Sequence, residues 1–233
     1  MNGKYLRYVM GEIFLVVVGI LIALSIDNMN ENRKERLLLE GYLKTIEKNL
    51  LADTVKINQR QRNYAHLHDY AKRHLTLAFQ NKYSEEVLAT SLSVMAESYL
   101  VIDQSGFEAL KNSEVFKDLQ GTGLEDALFT YYNSYKETYQ EEISMNNFIE
   151  SMEAKLYEED RDFILDVLKW AFQKDYDVAP YTNPKEVMLK RLAWNPYIIG
   201  MIQRMADEDS PRYLRMKANA ENALKLIDME LKK

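Results

Sequence analysis

The hydrophobic pattern of this chain changes character once. From Tyr8 to Ile26 (YVMGEIFLVVVGILIALSI) it is apolar on every side, with one charge, Glu12, near its start. As a helix that run rises roughly 28 Å, about the thickness of a bilayer's hydrocarbon core. Beyond it, apolar positions recur at steps of three and four, the mark of helices with one buried stripe. Leu43, Ile46, Leu50, Ile57, Tyr64, Leu67, Ala71 and Leu75 form the first stripe. It lies on a helix expected to continue outward from the apolar run across 29–77. Asp53 and Arg60 interrupt the stripe. They read as side chains turned to solvent by a local shift, with a polar register device of the coiled-coil kind as the other reading.

Helix breakers set the remaining boundaries. No Gly or Pro occurs from Tyr42 to Ser105 or from Leu124 to Ala179, and no period-2 segment is bounded by turn residues. The pattern predicts an all-α fold. Ser84-Glu85-Glu86 opens a helix to about Tyr99, with a capping side chain and acids in its first turn. Ser105…Glu108 and Thr122…Glu125 have capping-box spacing, the second directly after the turn Gly121-Thr122-Gly123. The helix at 124–158 presents Leu124, Leu128, Tyr131, Tyr135, Tyr139, Ile143, Ile149, Met152 and Leu156. A further helix follows at 160–172, with Phe163, Val167, Trp170 and Ala171 inward. Asn183-Pro184, Asn195-Pro196 and Ser210-Pro211 each start a helix with proline in its first turn. The last of these, 211–231, faces inward with Leu214, Ala220, Leu224, Ile227 and Leu231. The stretch 174–179 is the main loop, and Phe107 with Leu110 plugs the core.

The expected architecture is one N-terminal transmembrane helix continuing into an antiparallel helical bundle with short padding helices. Its parts are a leader at 1–7, the span at 8–26, a helical connector at 27–41 and the bundle at 42–233. A cleavable signal peptide would end in small residues at a cut site, but Ala23-Leu24-Ser25-Ile26 runs straight into Asp27-Asn28-Met29-Asn30. A buried helix of a soluble domain would not be apolar on every face when the rest of the chain can close a core without it. An uncleaved anchor is the simplest account. Lys4 and Arg7 favour a cytoplasmic N-terminus. Arg33, Lys34, Arg36 and Lys44 weigh on the other side, yet long domains translocate largely regardless of charge.

Charge and composition narrow the chemistry. Net charge is −6 with both signs interspersed, so no basic stripe points to nucleic acid. Cysteine is absent, which excludes disulfides, thiol catalysis and cysteine-ligated zinc. The 16 tyrosines suit a bundle with wet edges or interfaces. Glu12 is the first candidate residue: a carboxylate inside a span is costly and functional by default, while its place one turn from Tyr8 also reads as an acid tolerated at the hydrated interface. Gly19 and Ala23 make a small-xxx-small step, with Gly11 two turns before Gly19, a helix-packing candidate. His66 and His68 point about 200° apart on a helix and His74 lies two turns beyond His66, so these read as surface or edge histidines rather than metal ligands. Glu141, Glu142, Glu150, Glu153, Glu158 and Glu159 read as a solvated face. No nucleotide-binding, hydrolase or zinc-protease motif is present.

The run Tyr8-x-x-Gly11-Glu12-Ile13-x-Leu15-Val16-Val17-x-Gly19-Ile20-Leu21-Ile22-Ala23-Leu24-x-Ile26-x-Asn28-x-Asn30-Glu31-Asn32 resembles the opening signature of an uncharacterised family of Bacteroidota membrane proteins. Ser105-Gly106-Phe107-Glu108-Ala109-Leu110-Lys111-Asn112-Ser113 is similar to that family's Ser-x-Phe/Tyr-x-x-Leu-x-x-Ser element. The resemblance implies one N-terminal span, a cytoplasmic N-terminus and a mostly helical domain, but no reaction. The expected role is a non-enzymatic module on the outer side of the inner membrane, without cofactor or metal, that binds a protein partner, a ligand or its own copy. The alternative is a subunit of an oligomeric membrane complex that uses Glu12 in ion or proton movement.

Overall fold

The computed structural model of the protein describes residues 3–172, 184–207 and 211–233. Helix α1 spans Gly3–Phe79, α2 Glu85–Val94, α3 Ser105–Lys111 and α4 Gly123–Glu159. They are followed by α5 Arg161–Phe172, α6 Lys185–Trp194, α7 Pro196–Asp207 and α8 Arg212–Leu231. A 3₁₀ turn at Glu114–Leu119 links α3 to α4. The described residues contain no strand, as the breaker pattern predicts.

One unbroken helix carries three kinds of surface. The apolar part of α1 is long enough to cross a membrane, and none of its most apolar window is buried. Residues 27–34 are exposed on all sides. From Leu39 onward a single face turns inward: Leu43, Ile46, Leu50, Ile57 and Ala71 are fully covered. The 77 residues make a rod about 115 Å long.

The bundle closes around the second half of that rod. Helix α8 packs against both α1 and α4, α7 packs beside it against the same two helices, and α2 and α6 cover the far end of α1. Ion pairs fix the near end: Arg36 to Glu230 at 2.7 Å on one side of α1, Lys117 to Glu35 at 2.8 Å on the other. Phe107 of α3 fills the core as expected, stacked on Tyr132 at 4.4 Å and edge-on to Phe129 at 5.3 Å. Gly106 permits that approach, since a Cβ there would stand 3.1 Å from Asn49 and Thr45 side-chain atoms.

Several expectations need correction. Helix α2 stops at Val94, not near Tyr99, because Ser98-Tyr99-Leu100-Val101-Ile102 is rich in aromatic and β-branched residues that favour extended backbone. Leu100 and Ile102 are buried while Tyr99 and Val101 are exposed, an alternation within one segment that forms no strand. In α4 the inward positions after Tyr135 are Thr138, Glu142, Met145, Asn146, Ile149 and, as expected, Leu156, and Ile143 is only half-buried. In α8 Tyr213, Met216, Ala220, Ala223 and Ile227 face inward and Leu214 is 55% exposed. Thr122 caps α4 as expected, accepting from the Glu125 N–H at 3.2 Å, whereas Glu125 returns to the Gly121 N–H at 2.6 Å. Ser105 is the first residue of α3 rather than its cap, and its own N–H donates to Asp103 at 2.9 Å. Asn195 caps α7 through the N–H groups of Tyr197 and Ile198 at 3.0 and 3.3 Å. The loop at 174–179 and the caps Asn183 and Ser210 lie outside the described residues.

Candidate functional site

An interior made by helices satisfies its own backbone; an extended segment does not. The stretch Met95–Gln104 runs along the seam between α1 and α4, and its peptide groups need partners there. Side chains from the two flanking helices supply them. The Leu100 N–H donates to Glu142 Oε2 at 2.8 Å, and the Asp103 N–H to Asp53 Oδ1 at 3.2 Å. The Val101 carbonyl accepts from Lys56 Nζ at 3.0 Å. Arg60 donates to both the carbonyl and the hydroxyl of Ser98, and Asn146 reaches the same carbonyl at 3.4 Å.

This explains the charges that interrupt the stripe on α1. Asp53 is fully buried, not turned to solvent, and Arg60 lies against Glu142, with Nε at 3.0 Å from Oε1. Glu142, expected on a solvated face, is 2% exposed and also accepts from Tyr213 Oη at 2.5 Å. Tyr131 donates to Asp53 Oδ2 at 3.2 Å. Burial raises the Asp53 carboxyl above the ordinary carboxylate range, against the opposing pull of the Asp103 N–H and Lys56. Burial also raises Tyr131, and it pushes Tyr213 up to about 12 with the help of Glu142. Arg212 closes the inner end, donating to Glu141 at 3.1 Å and lying over the Tyr64 and Tyr213 rings at 4.9 and 5.1 Å. A cavity of about 30 Å³ remains among Arg60, Glu142, Asn146 and Arg212.

Asp53, Arg60 and Glu142 each hold this extended stretch, the strap, so the arrangement serves as a clamp. Beside the strap a groove of about 380 Å³ opens over Lys56, Gln59, Asn63, Tyr99 and Val101. A second, of about 530 Å³, lies at the far end beside Val187, Lys190 and Trp194. The described residues hold no set of three His, Asp or Glu side chains placed to bind one metal ion.

The four residues singled out in the apolar run lie far from this clamp. Glu12 and Ala23 are exposed, and Cβ atoms added at Gly11 or Gly19 would meet nothing within 4 Å. The histidines separate: His66 is exposed and His68 Nδ1 lies 3.1 Å from the Met205 carbonyl. His74, expected at the surface, is 1% exposed, and neither ring nitrogen completes a hydrogen bond. Burial lowers its pKa below the usual histidine value, against weaker opposing contributions from the Ala193 and Val87 backbone. Comparison with family models, curated proteins and solved structures gives no match.

Proposed function

We propose that this chain is a single-pass, membrane-anchored helical module that works by binding, with its N-terminus in the cytoplasm and its bundle on the outer side of the inner membrane. One observation carries the reading: the apolar part of α1 has no buried residue in its most apolar window, yet it continues without a break into the central helix of a packed bundle. A soluble protein does not leave such a surface uncovered. A binding role is supported by the clamp, which commits Asp53, Arg60 and Glu142 to holding the strap, and by the open grooves along it and at the far end.

The absence of cysteine makes the topology testable. Ala109 is exposed on α3. In an Ala109→Cys variant, a thiol reagent that cannot cross the inner membrane is expected to label the protein in cells with a permeabilised outer membrane. Labelling only after the inner membrane is lysed would reverse the orientation. A role for Glu12 in ion or proton movement is tested separately by Glu12→Gln, which the binding reading predicts to leave proton or ion flux unchanged.

A further inference from the structure

We propose that two copies of this chain pair in parallel along the outer face of α1, from Glu12 in the membrane to Val55 beside the bundle. The inference rests on the anchored reading above and names the partner. Eighteen residues make about five full turns of an α-helix, so Gly19, Leu37 and Val55 point the same way, as do Ala23 and Gly41. Ile46, fully buried against the bundle, stands nine residues from both Leu37 and Val55, about two and a half turns, on the opposite side. The stripe is therefore turned away from the core. Leu37 is 58% and Val55 65% exposed, Leu51 beside them is 54% exposed, and a Cβ at Gly19 or Gly41 would meet nothing. Glu12 lies about two turns before Gly19 on this face, whereas Gly11 lies about 80° off it.

A partner covering the whole stripe must be a helix in the same membrane that continues about 45 Å beyond Ile26, the last 27 Å or so beside the bundle. A second α1 has that length, that direction and the same anchor. Its charges also suit. Lys44 and Lys48 sit mid-stripe, Lys44 already carries Glu40 at 3.5 Å, and Glu47 flanks Lys48. In two parallel copies Lys48 of one meets Lys48 of the other across the seam, with the partner's Glu47 beside it to offset the repulsion, the arrangement in which a polar seam residue fixes register at a cost in stability. Within the membrane, Gly19 and Ala23 let the two backbones approach.

Single cysteines test this in membranes holding the full chain at low expression. Leu37→Cys and Val55→Cys replace exposed side chains and leave the bundle intact; Asn28→Cys stands on the opposite side of the stalk. Mild oxidation is expected to give a disulfide-linked species of twice the chain mass at Leu37→Cys and Val55→Cys, several-fold more than at Asn28→Cys. Adding Gly19→Leu is expected to reduce the Leu37→Cys product several-fold. Equal yield at all three positions, no dimer, or a product of another mass would overturn the pairing. Labelling the same cysteines from outside separates the two readings. Labelled but unlinked chains would retain the topology and reject the pair; linked chains reached only after lysis would do the reverse.

Discussion

Replacing Arg60 with Met tests whether buried charges hold the strap. The Glu142 side chain is 1% exposed and that of Arg60 14%, so the pair sits almost wholly out of water. Arg60→Met leaves the carboxylate with only the Tyr213 hydroxyl and the Leu100 N–H. Removing one partner of a buried pair costs about 3–5 kcal/mol. Because the guanidinium edge reaches solvent, the lower end, about 3 kcal/mol, is expected. Glu142→Gln keeps the acceptor for Leu100 but strips Arg60 of its counter-ion, for about 2 kcal/mol. In the double variant the neutral amide no longer needs the cation, so the total should be about 3 rather than 5 kcal/mol, a coupling of about 2. Urea unfolding of the detergent-solubilised chain, followed by helical circular dichroism, reads these differences against a total of about 5–15 kcal/mol. Limited proteolysis reads the strap itself: Arg60→Met should speed cleavage after Tyr99. Single costs that add within about 0.5 kcal/mol, with unchanged cleavage, would refute the clamp.

Asp53→Asn should leave stability at pH 7 unchanged or raised, since its Oδ1 still accepts from Asp103 and no charge is buried. The sign follows from the raised carboxyl: its contribution is present at low pH and lost as pH climbs above the ordinary carboxylate value. A large loss at pH 7 would show that the charge itself is needed. His74 has the opposite sign. Its lowered pKa gives stability that is full above about 6.5 and is lost as pH falls below it, so His74→Leu should flatten the decline in urea midpoint between about pH 6.5 and 5. An unchanged slope would point to another group. Gly106→Ala should cost about 1 kcal/mol or more because its Cβ would crowd Asn49, Thr45 and Ile46. Gly200→Ala, where the nearest atom is Met152 Sδ at 3.8 Å, should gain up to about 1 kcal/mol. Equal shifts at the two glycines would contradict the close packing of α3 on α1.

The helices were legible because breakers and periodicity are local signals. The clamp was not, and the reason is specific. Asp53 and Arg60 lie seven residues apart on an otherwise apolar stripe, which says that something polar covers that stripe without saying what. The cover is a segment about forty residues further on, Ser98 to Asp103, whose β-branched and aromatic residues could be read as the end of a helix. Glu142 stayed hidden because Tyr139 and Ile143 offer an apolar alternative one residue away from Thr138 and Glu142. Only the need of an extended backbone for side-chain partners decides between those registers. Leu214 misled in the same way beside Tyr213: the larger aromatic takes the core and the leucine is left outside. The apolar run needed no tertiary information, since a surface apolar on all sides reads the same in sequence and in structure.

The continuity of α1 constrains what a partner can meet. A Gly/Ser linker would let the bundle wander over the membrane. Here the stalk is helix throughout, fixed at its upper end by Arg36–Glu230 and Lys117–Glu35. In the anchored orientation those pairs stand about ten residues, or 15 Å, beyond Ile26. The far end of α1, with Phe79 71% exposed beside Trp194, stands about 80 Å out. A short isolated helix is marginal in water, so in the anchored orientation residues 27–34, exposed on all sides, persist because both of their ends are held. Ordering the stalk therefore links the two ends: a contact that bends or pairs α1 in the membrane also sets the direction of the helix that carries Asp53, Lys56 and Arg60. The strap is joined to that helix through the side chains of Asp53, Lys56 and Arg60.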